Sequence, residues 1–389
     1  MLTTLAISNY RSLRNLTIPL NRLNLITGPN GSGKSSVYRA LRLLAETAQG
    51  GVIPSLAREG GLQSTLWAGP EKIGRSVKRG VHQVEGTVRT ERVNLRLGFA
   101  GDEFGYAIDL GLPPPSKPPS PFSLDPEIKT ESIWAGPMLR PASMLVDRRK
   151  GLFRIRRNDG EWEVVSSNLS PFDSMLSQFA DPRNAPEMFI LRDRIRAWRF
   201  YDHFRTDADA PARLPQLGTH TPILSNDGSD MAAALQTILE IGDAAALNQA
   251  VDDAFPRSSV SVLNFEGRFE IAMHQHGLLR PLKAAELSDG TLRYLLWIAA
   301  LLTPRPPGLL VLNEPETSLH PDLLPALGRL IANAAERSQV FVVTHAARLI
   351  AELQKHLDCN CVRLEKQFGE TKIAGMGEFD GPPWRWASR

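Results

Sequence analysis

Gly28-Pro29-Asn30-Gly31-Ser32-Gly33-Lys34-Ser35 is the stretch on which the reading of this chain turns. Successive small residues let backbone N–H groups converge on anionic oxygens with no side chains in the way. The flanks supply the context such a loop needs. Leu23-Asn24-Leu25-Ile26-Thr27 before it is a short β-type run, and Val37, Leu41, Leu44 and Ala48 after it recur at helical spacing. Gly50-Gly51 stops that helix where a left-handed cap belongs. Strand, glycine-rich turn and helix together predict a phosphate-binding loop with the positive pole of the helix dipole behind it. Lys34 then reaches toward β- and γ-phosphates and Ser35 offers its hydroxyl to a metal, so the predicted ligands are ATP and Mg²⁺. The candidate nucleotide contacts here are Asn30, Gly31, Ser32, Gly33, Lys34, Ser35 and Ser36.

Three later stretches bear on what is done with the nucleotide. Leu309 to Glu314 is an apolar strand whose tip carries polar groups. An Asp usually ends such a strand and helps hold the metal. Asn313 stands there instead, an oxygen without the charge, and is the candidate metal ligand beside Ser35. Glu314 is placed to orient and deprotonate a water. Thr344-His345 ends the next apolar strand, and His345 is a candidate γ-phosphate sensor. Leu287-Ser288-Asp289-Gly290-Thr291 starts a helix that Ser288 can cap. A helix start with a hydroxyl and a glycine also suits a γ-phosphate, which makes Ser288 and Gly290 candidate nucleotide contacts. Read singly, Ser288 is a cap, Glu314 a strand-end charge and His345 a structural histidine. Their order along one chain favours catalysis by Glu314 and His345. His320 reads as a turn or interface residue.

The rest of the chain organises around these motifs. Val81 to Leu112 patterns as strands, and Leu112 to Pro126 carries seven prolines, an extended connector. Phe153–Arg157 and Glu161–Val165 flank an Asn158-Asp159-Gly160 turn as a hairpin does. Pro186 to Ala254 reads as mainly helical, Val260 to Met273 as β, and Thr291 to Leu302 as an apolar helix. Leu309–Leu312 and Val340–Val343 read as parallel strands buried on both faces, joined by a crossover helix from Leu319 to Ala335. Trp-Ala-Gly-Pro at Trp67–Pro70 and Trp134–Pro137 reads as shared turn chemistry, not as a repeat. The expected fold class is α/β: a mixed-sheet core assembled from both ends of the chain, an antiparallel β subdomain, and a helical insert carrying the Ser288 motif. The expected boundaries are 1–50 and 303–389 for the nucleotide lobe, 51–180 for the β subdomain and 181–302 for the helical lobe.

Composition narrows the class. A chain of 389 residues with 42% hydrophobic and 22% charged side chains is long enough for a large core and too apolar for wholesale disorder. A net charge of +3 predicts no nucleic-acid binding by itself. The basic residues cluster, however, in Arg75–Arg96, Arg148–Arg157 and Arg192–Arg205, as either solvated faces with local ion pairs or a phosphate-binding surface. Cys359 and Cys361 suit neither a disulfide nor, without further ligands, a zinc site, and such scarcity fits a reducing compartment. The longest apolar run, Leu295 to Leu302, falls short of the ~20 residues a bilayer needs. Met1 to Asn9 lacks the order of a secretory signal. The expectation is a cytoplasmic protein without a membrane partner.

With these residues assembled, the chain resembles the ABC-type ATPases that act on chromosomes, the RecF, SMC and OLD-like group, and within it bacterial ATPases of AAA type. The resemblance rests on Ile7-Ser8-Asn9-Tyr10-Arg11-Ser12-Leu13, Gly28–Ser35, Leu287–Thr291, Leu312-Asn313-Glu314-Pro315-Glu316, Ser318–Pro321 and Thr344-His345. It implies a P-loop NTPase fold and a head-to-tail homodimer closing on two ATP molecules. Ser288 and Gly290 of one subunit would then reach the nucleotide held by Lys34 and Ser35 of the other. Asn313 and Asp289 depart from the usual pattern, and Gln178 is the candidate for the group's lobe-connecting glutamine. Only 44 residues follow His345, fewer than the nuclease domain of OLD proteins requires. A separately encoded nuclease or effector is therefore an expected partner, with DNA as a candidate substrate surface.

Three functions compete. The leading one is a slowly hydrolysing ATPase switch acting on DNA, in repair or in defence against phage and plasmids. The others are a transporter-type ATPase subunit and a nucleotide-sensing regulatory scaffold for a separate effector.

Overall fold

The computed structural model describes residues 1–69, 94–115, 117–118, 120–157, 159–179, 181–377 and 380–389. Its strands in chain order are β1 (Leu2–Tyr10), β2 (Leu13–Pro19), β3 (Leu23–Thr27), β4 (Leu95–Gly101), β5 (Phe104–Gly111), β6 (Glu127–Ala135), β7 (Met144–Arg149), β8 (Leu152–Arg156), β9 (Trp162–Ser166), β10 (Arg199–Tyr201), β11 (Gln216–Leu217), β12 (Ser259–Phe265), β13 (Arg268–His274), β14 (Leu282–Lys283), β15 (Leu309–Asn313), β16 (Gln339–Val343), β17 (Cys359–Gln367) and β18 (Glu370–Ile373). The chain forms two compact units, each drawn from separated stretches. One comprises Met1–Asn21, Thr27–Ala197 and Val362–Arg389, the other Arg22–Ile26 and Trp198–Cys361.

The first unit is built on an eight-stranded antiparallel sheet in the order β2-β1-β4-β5-β6-β7-β8-β9. Large apolar residues at every second position of its inner strands build it: Leu97, Phe99, Tyr106, Ile108 and Ile133 are all buried. The helix Lys34–Thr47 buries Val37, Leu41 and Leu44, the spacing seen in the sequence. The chain then turns at Gly50, φ +79°, a conformation glycine adopts freely. The hairpin expected around residues 158–160 is β8 paired with β9, Arg156 opposite Trp162. Asn158 itself lies outside the described residues. So do Val81–Val93 of the expected β run, Arg75–Arg92 of the first basic group and Pro70. The described residues between β5 and β6 form neither helix nor strand, as the prolines require.

The second unit holds parallel strands in the order β10-β15-β16-β3. β15 and β16 are almost wholly buried runs of Leu, Val and Phe, the composition of a parallel strand covered on both faces. The helix Asp289–Leu301 buries every residue from Leu292 onward. The crossover helix between β15 and β16 begins at Leu324, after a 3₁₀ turn at Pro321–Leu323, five residues later than the sequence suggested. A small antiparallel sheet, β11-β13-β12 with β14 on β13, packs beside the helices. The segment read as mainly helical contains the helices Pro186–Arg196, Met231–Ile241 and Ala244–Ala254, and also β10 and β11. β10 has only three residues, too few for a visible period. It is a strand because β15 pairs with it.

Candidate functional site

In the first unit, Gly28, Gly31 and Gly33 take φ of +144°, +76° and +105°, which L-residues with side chains avoid. Two of them also have no room for a Cβ: at Gly28 it would strike Leu364 O, at Gly33 the Thr371 side chain. Thr371, fully buried on β18, fastens the loop from outside. Its hydroxyl donates to Ser32 O at 2.8 Å and lies 2.8 Å from Ser12 Oγ, and its N–H donates to Ser12 O. Ser12 belongs to the turn between β1 and β2, and β18 pairs antiparallel with β17, so the β1–β2 turn and the β17–β18 hairpin brace the loop together. Beside Ser12, Tyr10 Oη and Arg11 Nη2 both donate to Glu59.

Several polar groups of this loop are left for a ligand. The helix Lys34–Thr47 starts at Gly33 with no side-chain cap and no acid in its first turn, so its positive pole is uncompensated. Ser32 Oγ is buried without a hydrogen-bond partner, a rarity for a buried hydroxyl. Lys34 Nζ donates to Gly28 O (2.7 Å) and Pro29 O (3.0 Å), two of its three donors, which holds the ammonium at the loop. Ser35 is exposed. An uncapped helix start, an orphaned hydroxyl and a cation fit a polyphosphate.

Gln178 ends a short helix, Met175–Gln178, and donates to Asp173 Oδ2. A buried network anchors that helix. Glu131 accepts from Tyr106 Oη, Arg148 Nη1, Ser174 Oγ and Met175 N. Burial, with the Glu131 carboxylate beside it, pushes the Tyr106 phenol well above its ordinary pKa. The second basic group is thereby largely consumed inside the unit: Arg148 on Glu131, Arg149 and Arg154 on Asp147, Arg156 on backbone carbonyls, Arg157 on Asp159. In the third group Arg192 pairs with Asp193 and Arg194 with Glu103.

In the second unit the C-terminal ends of β15 and β16 bring Asn313, Glu314, Glu316 and His345 together. Glu314 has φ +48°, in the left-handed region that residues with side chains seldom occupy, and its N–H donates to Val343 O at 2.8 Å. Glu316 is buried. Its Oε1 accepts from Thr344 Oγ1 (2.6 Å) and from His345 N (3.1 Å), and lies 3.5 Å from His345 Nδ1. His345 Nδ1 is 3.8 Å from Glu314 Oε1. Glu316 thus fixes the turn that carries the histidine, a role its place in the motif did not disclose. Asn313 Nδ2 donates to Asp202 Oδ1, while its own Oδ1 is buried without a partner. Among the described residues no group of three or more His, Cys, Asp or Glu could hold a metal.

Ser288 caps the helix Asp289–Leu301, accepting from Thr291 N at 3.2 Å, and is exposed. Asp289 accepts from Arg213, a buried arginine that also donates to Ala284 O, Ala285 O and Leu287 O just before the cap. That pairing accounts for an acid at a place where small residues are commoner. A Cβ on Gly290 would lie 3.3 Å from Ser318 O, so the helix start sits against the loop that follows β15. His320 caps the 3₁₀ turn through Nδ1. Cys359 and Cys361 are free thiols. No helix among the described residues is long and apolar enough to cross a membrane.

Against known proteins, residues 23–351 match the family model described as "AAA domain, putative AbiEii toxin, Type IV TA system". A stretch of 56 residues is 43% identical to the OLD nuclease of Thermus scotoductus (strain ATCC 700910 / SA-01), covering 14% of this chain and 10% of that protein. The match thus spans about a tenth of the length of that curated relative. Among solved structures, the SMC head domain from Thermotoga maritima aligns over 97% of this chain and 99% of that one at 15% identity, TM-score 0.43. The Smc head domain with an extended coiled coil, bound to the C-terminal domain of ScpA derived from Pyrococcus furiosus, aligns over 96% and 95% at 12% identity, TM-score 0.49.

Proposed function

The chain belongs to this AAA-domain family, and from that premise we propose that it binds and slowly hydrolyses ATP, closing into a head-to-tail homodimer as it does so. The observation that carries the proposal is the buried, unpartnered Ser32 hydroxyl beside an uncapped helix start within a loop of positive-φ glycines. In this reading Asn30 to Ser36 take the phosphates, with Lys34 on the β- and γ-oxygens. Glu314 accepts a proton from water as that oxygen bonds to the γ-phosphorus and the bond to the β-phosphate oxygen breaks, giving ADP and phosphate. His345, steadied by Glu316, senses the γ-phosphate. Ser35 and Asn313 are neutral oxygen donors of the kind Mg²⁺ accepts while keeping several waters, and the ion, when bound, neutralises charge on the phosphates. The exposed cap Ser288, with Gly290, meets the partner's nucleotide.

Lys34→Ala is expected to abolish ATP binding, and Glu314→Gln to bind ATP and accumulate as a dimer in size-exclusion chromatography with light scattering. A Glu314→Gln protein that binds ATP and stays monomeric removes the dimer switch. DNA as the surface acted on, in repair or in phage and plasmid defence, is part of the same proposal. Duplex DNA should be retained by the trapped dimer and released steeply as salt rises. Retention indifferent to salt, or none, removes that part.

Asn313 favours a second reading, a nucleotide-sensing scaffold for a separately encoded effector in which hydrolysis is marginal. Turnover of the natural protein and of Asn313→Asp combined with Asp202→Asn, which avoids two facing carboxylates, separates the two. A large gain on restoring the carboxylate supports the scaffold.

A further inference from the structure

Asn313 ends β15 where a carboxylate is usual, and the neighbouring strand brings a carboxylate back. β10 and β15 run parallel with Tyr201 beside Leu312. Side chains alternate in step on paired strands, so the next two residues, Asp202 and Asn313, emerge on the same side of the sheet edge. Asn313 Nδ2 donates to Asp202 Oδ1 at 2.6 Å, short for N–H···O, as charge-assisted bonds are. An asparagine amide can present either end to a neighbour, but a carboxylate only accepts hydrogen bonds. Asp202 therefore admits one orientation, Nδ2 toward itself and Oδ1 away. Oδ1 in that orientation is buried and has no hydrogen-bond partner, although buried acceptors nearly always have one. The next residue is Glu314, whose backbone is held in the left-handed region.

We propose that Asp202 is a positioning residue for the metal that would accompany the nucleotide: it fixes the Asn313 amide so that Oδ1 is the end left to ligate, and it returns the negative charge that Asn313 lacks. The inference rests on the reading of the chain as an ATP-binding protein. A single aspartate would combine oxygen donor and charge in one side chain. Here the two functions are divided between adjacent strands. The charge-assisted bond polarises the amide, which makes Oδ1 a stronger acceptor than a free asparagine oxygen. Groups that orient a metal ligand in this way shift metal affinity by about 10–100-fold.

The test uses the full chain and a fluorescent, non-hydrolysable ATP analogue followed by anisotropy, first in EDTA and then across a Mg²⁺ titration. In the natural protein Mg²⁺ should tighten binding. Asp202→Asn should keep the metal-free affinity and raise the half-saturating Mg²⁺ by about tenfold or more. Adding Asn313→Asp to Asp202→Asn should bring it back. Asp202 is exposed, so the fold tolerates its replacement, and Asp202→Ser serves as a second variant. Asp202 variants that titrate Mg²⁺ as the natural protein does overturn the inference and leave the nucleotide reading intact. Variants that weaken metal-free binding equally, and that Asn313→Asp does not rescue, show a purely structural Asp202 and overturn it too. A natural protein that binds no analogue removes the nucleotide reading, and this inference with it.

Discussion

At the scale of single residues, the sites that matter are those where a local preference is overridden. Glu314 holds a left-handed backbone that glutamate avoids, and Glu316 is buried, as glutamate seldom is. Glu316 Oε1 answers two donors at once, the Thr344 hydroxyl and the His345 N–H, while its Oε2 is buried without a partner. Glu316→Ala leaves the fully buried Thr344 hydroxyl without its acceptor and should cost about 2–3 kcal/mol in urea unfolding. Glu316→Gln keeps an acceptor and should cost less than half of that. Equal losses from the two would mean that the contact with Thr344 contributes little. The strand-end placement of Glu314 and His345 was legible in the sequence because each follows an apolar run. Asp202 was not, since nothing near it in sequence marks it. Its partner, Asn313, lies 111 residues away, and the strand that delivers it is three residues long.

At the scale of elements, buried runs and capped ends were readable, and basic clusters were not. β3, β15 and β16 follow from unbroken apolar runs, and the cap at Ser288 from its side chain. The Arg148–Arg157 cluster allowed two readings in the sequence, because charge alone does not tell which side of a strand meets water. Arg148 shares a face of β7 with buried Val146 and is itself wholly buried, spanning from Glu131 to the carbonyls of Ser170 and Asp173 and so fastening the helix that ends in Gln178. Arg148→Ala strands the Glu131 carboxylate in the core and should destabilise the protein by about 3–5 kcal/mol in denaturant unfolding. Arg148→Met combined with Glu131→Leu removes both charges and should lose far less. A loss under about 1 kcal/mol for Arg148→Ala would show that water reaches Glu131.

At the scale of the whole molecule, neither compact unit is a continuous length of chain, which composition and periodicity cannot announce. The parallel sheet of the second unit needs five residues from near the N-terminus. β3 pairs with β16, Val340 N donating to Arg22 O and Thr344 N to Ile26 O. A fragment of residues 198–361 lacks that strand and presents β16 as a bare apolar edge. It should aggregate on size-exclusion chromatography or lack a cooperative melt, and a fragment that melts cooperatively as a monomer would refute that dependence. The clamp on the glycine-rich loop has a consequence of the same kind in time. Thr371 emerges from the ribosome 339 residues after Ser32, the carbonyl it holds. Throughout translation the N-terminal segment carries every letter of the phosphate motif and lacks the brace that shapes it. If the chain binds nucleotide as proposed, capture should wait until Thr371 has been made, and a chain truncated before that codon is expected to lack the brace on the loop and to bind ATP more weakly.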